Sequence, residues 1–223
     1  KFVEEEFDLW FKEILDREWP KLVKEIDQKR AKITDGIARR FTGLGILESQ
    51  VDQVLISMSL KTKKAQDWSA DDIMGFLKSL RKIAKPLLIA ANKADLCDDL
   101  KIIEKISTNF KVIPSSAETE LLLRKATKAE LINYVPGDES FSGKDNVQLS
   151  EQQNNALHLA KNVMTKIQTT GVQQILNSII FDVLDMIVVY PVEDETKLMN
   201  KQGQVLPDAR LLKKGSTAKE LAF

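Results

Sequence analysis

The chain has 223 residues, 43% of them hydrophobic, with 33 basic and 33 acidic side chains. This composition is typical of a globular protein and argues against a disordered chain. The zero net charge provides no overall field for nucleic acid or an anionic membrane. A single cysteine, Cys97, excludes an internal disulfide and a thiolate metal cage, so we expect a cytoplasmic protein. The longest apolar runs, residues 86–91 and 186–192, are strand-sized, so no membrane span is expected.

The first 68 residues carry a helical pattern without a strand signal. Apolar residues recur at helical spacing over residues 7–26, 33–41 and 48–60, which predicts three helices. Pro20 is expected to kink the first helix or to open another one. Trp10, Trp19 and Trp68 are assigned to the core of this helical region.

Helices and short strands alternate after residue 68. Ser69 and Asp72 have the spacing of a capping box at the start of a helix. A fully buried strand over residues 86–91, a helix over 98–108, a strand over 110–114 and a helix over 118–129 are predicted next. This alternation is typical of a parallel α/β sheet.

The last part of the chain begins with a polar linker at residues 136–146. A long helix capped by Ser150 is predicted to reach residue 167, and a second helix follows Thr169-Thr170-Gly171 as far as residue 184. Strands are predicted at residues 186–192 and 209–213. Ser216 or Thr217 is expected to cap another helix, with Thr217 and Glu220 at the spacing of a capping box.

The strongest chemical signal is Asn92-Lys93-Ala94-Asp95, directly after the first predicted strand. The carboxyl ends of strands are where α/β sheets bind ligands. Asp95 could accept two parallel hydrogen bonds from the ring N–H and the exocyclic amino group of guanine, a donor pair that adenine lacks. Asn92 could hold the loop, and the stem of Lys93 could lie against the base.

A second signal, Ser115-Ser116-Ala117-Glu118, directly follows the next predicted strand. The small residue Ala117 would let its backbone N–H approach the carbonyl oxygen of guanine. Each tetrapeptide alone arises often by chance, whereas the two in this order at consecutive strand ends favour a base-binding site.

These motifs resemble the archaeal branch of the YchF-type GTPases, which are Obg-related translation-factor proteins. The resemblance rests on residues 85–95, 112–118 and 185–195 and extends over essentially the whole chain. It implies a helical insertion at residues 1–68, the second half of a P-loop GTPase sheet at 69–135, a linker and helical segment at 136–184, and a truncated β-grasp (TGS) domain at 185–223.

The resemblance also implies functions for individual residues. Asn92, Lys93 and Asp95 would select the base, and Ser116 and Ala117 would belong to the second base-binding loop. The ligands would be GTP and GDP with Mg²⁺. The TGS domain would contact RNA or the ribosome, and Lys213 and Lys214 are its candidate contacts. Some relatives with an altered first motif prefer ATP, but the intact Asp95 favours GTP.

The departure from the family concerns the phosphates. The sequence contains no G-x-x-x-x-G-K-[ST] loop and no D-x-x-G motif after a strand, so nothing in it would cradle the β- and γ-phosphates. We therefore expect an internal fragment, without catalytic residues and without metal ligands, that binds guanine poorly and hydrolyses nothing. The first residue is not Met and the last residues open a new helix, which agrees with this expectation.

Two alternatives remain open from the sequence. One is a non-hydrolytic RNA- or ribosome-binding adaptor with a GTPase-like shell, and the other is an ATP-preferring relative. The basic clusters at residues 39–40 and 61–64 are weaker candidates for phosphate contacts than Lys213 and Lys214. The lone His158 and Cys97 are assigned to packing or surface positions, since metal sites need several ligands. The sequence does not determine the oligomeric state.

Overall fold

In the computed structural model, the chain is described over residues 2–28, 30–97, 99, 101–107, 110–193, 196–206 and 208–222. The chain divides into two compact units, one up to Leu87 and one from Leu88 onward. The first unit is helical, and the second combines helices with three two-stranded sheets. The fold is therefore α/β, as predicted.

The described residues of the first unit form four α-helices and no strand, as predicted for a helical region. The helices are α1 (Phe2–Asp27), α2 (Ile33–Arg40), α3 (Glu48–Ser57) and α4 (Ala70–Ala84). Pro20 lies inside α1 and does not open a second helix. Leu15 and Leu22, on either side of Pro20, are both fully buried in the same core, so their packing offsets the missing N–H.

The core of the first unit is built from one apolar face of each helix. Its largest fully buried side chains are Phe11, Leu15, Leu22, Ile37, Phe41, Leu55, Phe76, Leu77 and Leu80. Trp68 is buried with its ring 5.2 Å from that of Trp19, which confirms the core assignment of these two. The assignment of Trp10 to the core is wrong, since it is 44% exposed, with its ring in edge contact with its α1 neighbours Phe7 and Phe11.

Helix α4 begins at the predicted capping box and packs with the helical unit. The N–H of Asp72 donates to Ser69 Oγ (3.1 Å), and the N–H of Ser69 donates to Asp72 Oδ2 (2.7 Å). Farther along α4, the buried Arg81 donates to Asp8 (2.7 Å) and Glu4 (2.8 Å) of α1. Helix α4 thus belongs to the first compact unit, which extends to Leu87, because α4 packs in the same core as the other helices.

The second unit begins with two parallel strands, β1 (Leu88–Ala91) and β2 (Lys111–Pro114), which pair in register from Leu88 opposite Lys111 to Ala91 opposite Pro114. The parallel pairing agrees with the helix–strand alternation of the sequence. The prediction of a fully buried strand is wrong, since Ala90 is exposed and the other residues of β1 are half-buried. In the described residues β1 has a neighbour on one edge only, so its burial is incomplete.

Helices α5 (Lys101–Ser107) and α6 (Ala117–Lys128) flank β2 in the chain. The predicted helix ends at Asp98 and Thr108 lie outside the described residues. The region predicted as a linker contains β4 (Ser142–Gly143), which pairs with β3 (Ile132–Asn133) in an antiparallel arrangement. A strand of two residues has too short an alternation to stand out in a sequence.

Helix α7 (Glu151–Ile167) begins at the predicted cap, where Ser150 Oγ accepts from the N–H of Gln153 (3.3 Å). It packs against α6 around the buried Leu123, Tyr134 and Met164. The following helix is α-helical only over α8 (Val172–Asn177), and the chain continues as a π-helix over Ser178–Val183. Antiparallel strands β5 (Met186–Val189) and β6 (Arg210–Lys213) and the short α9 (Ala218–Ala222) complete the unit.

Candidate functional site

The first candidate loop leaves β1 in a tight turn. Lys93 has a left-handed backbone (φ 62°), and a 3₁₀ turn follows over Ala94–Leu96. Positive φ in a residue other than glycine is uncommon and often marks a ligand site. Ala94 is buried, and its N–H donates to the carbonyl of Ser115 (3.0 Å). The loop therefore rests on the second candidate loop, with the side chains of Asn92 and Lys93 exposed.

The second candidate loop continues the parallel pairing and then caps a helix. The N–H of Ser115 donates to the carbonyl of Ala91 (2.9 Å), which extends the β1–β2 ladder by one step. Ser116 is the N-cap of α6, and its Oγ accepts from the N–H of Thr119 (3.3 Å). Both serines are buried (2% and 1% exposed), and the Ser116 hydroxyl supports the start of the helix rather than facing solvent.

A side chain joins the two loops. Asn92 Oδ1 accepts a hydrogen bond from the backbone N–H of Ala117 at 3.1 Å. This occupies the N–H that we expected to approach the base. The N–H of Glu118, the next donor at the start of α6, has no acceptor among the described residues. The structure thus brings both predicted loops together, and Glu118 rather than Ala117 has the open donor.

The carboxylate of Asp95 is half-buried beside this junction. Within the described parts of the chain it has no hydrogen-bond or ion-pair partner. Lys166 of α7 holds the backbone beside it, since its Nζ donates to the carbonyl oxygens of Asp95 (3.4 Å) and Cys97. A groove of about 470 Å³ opens there, lined by Asp95, Leu96 and Glu118 together with α7 residues.

A third segment, residues 169–171, also contacts the second loop. The N–H of Ser116 donates to the carbonyl of Thr170 (2.9 Å), and the hydroxyl of Thr170 donates to Glu120 Oε2 (2.5 Å). In the sequence, Thr169-Thr170-Gly171 indicates only a boundary between two helices. The glycine between two helical patterns was the signal that could have drawn attention to this segment. The neighbouring residues in the sequence do not indicate which part of the chain the glycine contacts.

Glu120 is a buried carboxylate in the first turns of α6, 4% exposed. It also accepts from Tyr134 Oη (2.7 Å) and Arg124 Nε (2.6 Å). Burial raises the pKa of Glu120, but the hydrogen bonds from Thr170, Tyr134 and Arg124 outweigh it, so the pKa lies below its ordinary value. Burial and the hydrogen bond to Glu120 raise the pKa of Tyr134. The carboxylate is therefore ionised and fully used in holding its neighbours.

The remaining candidates are basic residues of both units. Arg39 and Arg40 pair with Asp35 and Glu25, while Lys61 and Lys63 pair with Asp52 and Asp72. These basic clusters are thus largely neutralised by neighbouring acids. Lys213 and Lys214 are exposed at the end of β6, and no acid among the described residues pairs with them.

His158 and Cys97 show no sign of a metal site. His158 is exposed on α7 beside Asn162 (3.4 Å), and Cys97 Sγ lies 3.3 Å from the carbonyl of Asp99. No group of three or more His, Cys, Asp or Glu side chains in the described residues could hold a metal ion. Within the same residues, every helix is too short or too polar to cross a membrane.

The chain is similar in sequence to known proteins. Residues 90–194 match the family described as "Obg-like GTPase YGR210-like, G4 motif-containing domain". The whole chain is 43% identical over 226 residues to an uncharacterized GTP-binding protein of Methanocaldococcus jannaschii, and it covers 56% of that relative.

The fold also matches a solved structure. The crystal structure of a GTP binding protein from Pyrococcus horikoshii OT3 superimposes with a TM-score of 0.78 and 35% sequence identity, over 99% of this chain and 58% of that one. The chain therefore spans somewhat more than half the length of both relatives. By sequence and by fold the chain is similar to these two GTP-binding proteins, and its residues 90–194 match the model of the Obg-like YGR210-like G4 motif-containing domain.

Proposed function

We propose that this chain is the base-recognition part of a GTPase and binds the guanine of GTP and GDP. The observation that carries the proposal is the hydrogen bond from the Ala117 N–H to Asn92 Oδ1 (3.1 Å). It joins two loops that leave adjacent parallel strands at the same end of the sheet. Ligands of α/β proteins bind at that end.

Each predicted residue has a distinct role in this proposal. Asp95, whose carboxylate lacks a partner in the described residues, accepts hydrogen bonds from the ring N–H and the exocyclic amino group of guanine. The exposed stem of Lys93 packs against one face of the base. The open N–H of Glu118, aided by the positive end of the α6 dipole, donates to the base carbonyl. Asn92, Ser116 and Ala117 hold the two loops together.

The test compares GDP with ADP on the protein produced with the coding sequence upstream of Lys1, so that any phosphate-binding part is included. Asp95→Ala should weaken GDP binding by about a hundredfold, since it removes two charge-assisted hydrogen bonds. ADP binding should change little. Asp138→Ala is the matched control, because Asp138 is an exposed carboxylate of the same unit outside the loops. Equal affinity of the parent protein for both nucleotides, or full GDP affinity in Asp95→Ala, would refute the proposal.

Phosphate binding and hydrolysis require more than these residues. The described residues offer no cluster that fits Mg²⁺, and the sequence has no phosphate-binding loop. We therefore propose that the intact protein, extending beyond this chain as its relatives do, supplies both, and that the chain alone is inactive. The upstream sequence tests this directly: a phosphate loop there agrees with the GTPase, and a start codon near Lys1 favours the non-hydrolytic adaptor.

A second candidate function is RNA or ribosome binding by the last part of the chain, as in a TGS domain. It is favoured by the adjacent exposed side chains of Lys213 and Lys214, without acidic partners among the described residues. The affinity for poly(U) RNA should fall with salt concentration, and the steepness of log affinity against log salt should decrease by about 1–2 in the variant Lys213→Gln/Lys214→Gln. Lys201→Gln is the control, because Lys201 is paired with Glu193 (3.0 Å). An unchanged slope in the double variant would rule out this contact.

A further inference from the structure

Residues 169–171 lie against the second base loop although they belong to neither recognition motif. They connect α7 to α8 and approach the end of β2. Thr170 is fully buried, and the backbone of Ser116 bonds directly to it. These contacts allow the segment to determine the position of the second loop.

Thr170 contacts the beginning of α6 with both of its polar groups. Its carbonyl accepts from the N–H of Ser116 (2.9 Å), and its hydroxyl donates to Glu120 Oε2 (2.5 Å). Ser116 is the N-cap, and Glu120 lies one turn later. The backbone carbonyl and the side-chain hydroxyl of Thr170 thus fix the N-cap and the first turn of α6 relative to each other. This is a geometric constraint on the N–H groups between them.

Gly171 brings the segment closer than any other residue could. Its backbone is left-handed (φ 78°), and an added Cβ would lie 2.0 Å from the carbonyl oxygen of Pro114 and 2.8 Å from Ser115 Cα. Both the conformation and the space require glycine. The segment therefore packs directly on the backbone at the end of β2, where the second loop begins.

Glu120 anchors the segment from the other side. Its carboxylate is buried and is held by Tyr134 and Arg124 as well as by Thr170. A buried, ionised acceptor with three donors is costly to move, because each lost bond leaves polar atoms unsatisfied. Displacement of Thr170 is therefore opposed both by Glu120 and by the contact of Gly171 with Pro114.

We propose that Thr170 and Gly171 are positioning residues of the base site, which hold the Ser115–Ser116 turn so that α6 directs the open N–H of Glu118 at the base carbonyl. The inference rests on the proposed guanine recognition. It assigns the third segment to binding of the base carbonyl, whereas Asp95 reads the exocyclic amino group. The two functions can be separated with inosine diphosphate (IDP), which keeps the carbonyl and lacks that amino group.

The experiment measures the Kd and the number of binding sites for GDP, IDP and ADP by calorimetry, again with the upstream coding sequence included. Thr170→Val should weaken GDP and IDP by the same factor, about tenfold, with the number of sites unchanged. Gly171→Ala should do the same through steric displacement while it keeps the Thr170 hydroxyl. Thr170→Ser should restore binding. Thr127→Val is the matched control, since the Thr127 hydroxyl donates to the carbonyl of Leu123 within α6 and contacts neither loop in the part of the chain that the structure describes.

The outcomes separate the two proposals. If Thr170→Val and Gly171→Ala bind GDP within about twofold of the parent while Asp95→Ala loses it, the positioning inference is wrong and base recognition stands. Fewer binding sites at an unchanged Kd would mean a purely structural role and would also overturn the inference. If Asp95→Ala leaves the ratio of GDP to IDP affinity unchanged, the proposed function itself fails. Should Thr170→Val not fold, Gly171→Ala and Thr170→Ser decide the matter.

Discussion

The buried carboxylate of Glu120 allows a quantitative prediction for the variant Glu120→Gln. Glutamine keeps the shape of the side chain but replaces a charged acceptor by a neutral amide. Oε2 accepts from the hydroxyls of Thr170 (2.5 Å) and Tyr134 (2.7 Å), and Oε1 accepts from Arg124 Nε (2.6 Å). At best, the amide oxygen keeps the two hydroxyl donors, and its NH₂ group then faces the guanidinium.

The magnitude follows from these three bonds. A hydrogen bond to a charged group contributes about 1.5–3 kcal/mol and a neutral one about 0.5–1.5 kcal/mol, so the two buried hydroxyl bonds together lose about 2 kcal/mol. The ion pair with Arg124 adds about 0–1 kcal/mol, because that side chain is 49% exposed. We expect Glu120→Gln to lower the free energy of unfolding by about 2–3 kcal/mol at neutral pH.

The assay is urea unfolding followed by far-ultraviolet circular dichroism, with Glu139→Gln as an exposed control. Because the folded pKa of Glu120 lies below the ordinary value of 4.5, its stabilisation is present above that pH and lost as pH falls through the folded pKa. The deficit of Glu120→Gln should therefore shrink from pH 7 towards strongly acidic pH. A deficit under about 0.5 kcal/mol, or one independent of pH, would refute the reasoning.

Two further predictions concern the helical unit. Arg81→Ala leaves the buried Asp8 without its ion-pair partner and should lower the free energy of unfolding in urea by about 3–5 kcal/mol. The double variant Asp8→Leu/Arg81→Met should recover most of that loss, and equal losses in the two variants would contradict this account. The hydrogen bond from Lys63, together with those from Ser69, lowers the pKa of Asp72 to about 2. An NMR titration should therefore give this carboxyl a midpoint well below its ordinary value of 3.8, and a midpoint near 3.8 would mean that the capping box is open in solution.

Local signals accounted for most of the helix and strand positions. The caps at Ser69, Ser150 and Thr217 involve residues three positions apart, so the sequence contains the complete interaction, and the structure confirms all three. The parallel β1–β2 pair also follows from the helix between two short apolar runs. The burial of β1 could not be predicted from its apolar residues, because burial depends on whether neighbouring strands and helices cover the strand.

The candidate site was predictable only in part. The contact between the two loops follows from their positions after adjacent parallel strands. The hydrogen bond from the Ala117 N–H to Asn92 Oδ1 could not be predicted from those positions. Thr170 and Glu120 interact across a long stretch of chain, and an acidic residue in a helix is usually exposed. Such contacts arise from the packing of α6 and α7, which no short motif encodes.

The distribution of aromatic residues has a consequence for spectroscopy. All three tryptophans lie in the first unit, and both tyrosines, Tyr134 and Tyr190, lie in the second. Selective excitation of tryptophan therefore reports on the unfolding of the first unit alone. Since the rings of Trp19 and Trp68 lie 5.2 Å apart, their electronic transitions should couple and give a near-ultraviolet dichroic band that disappears when this core loosens. The unit with the base loops is free of tryptophan, so a single tryptophan introduced there would provide an independent optical reporter of nucleotide binding.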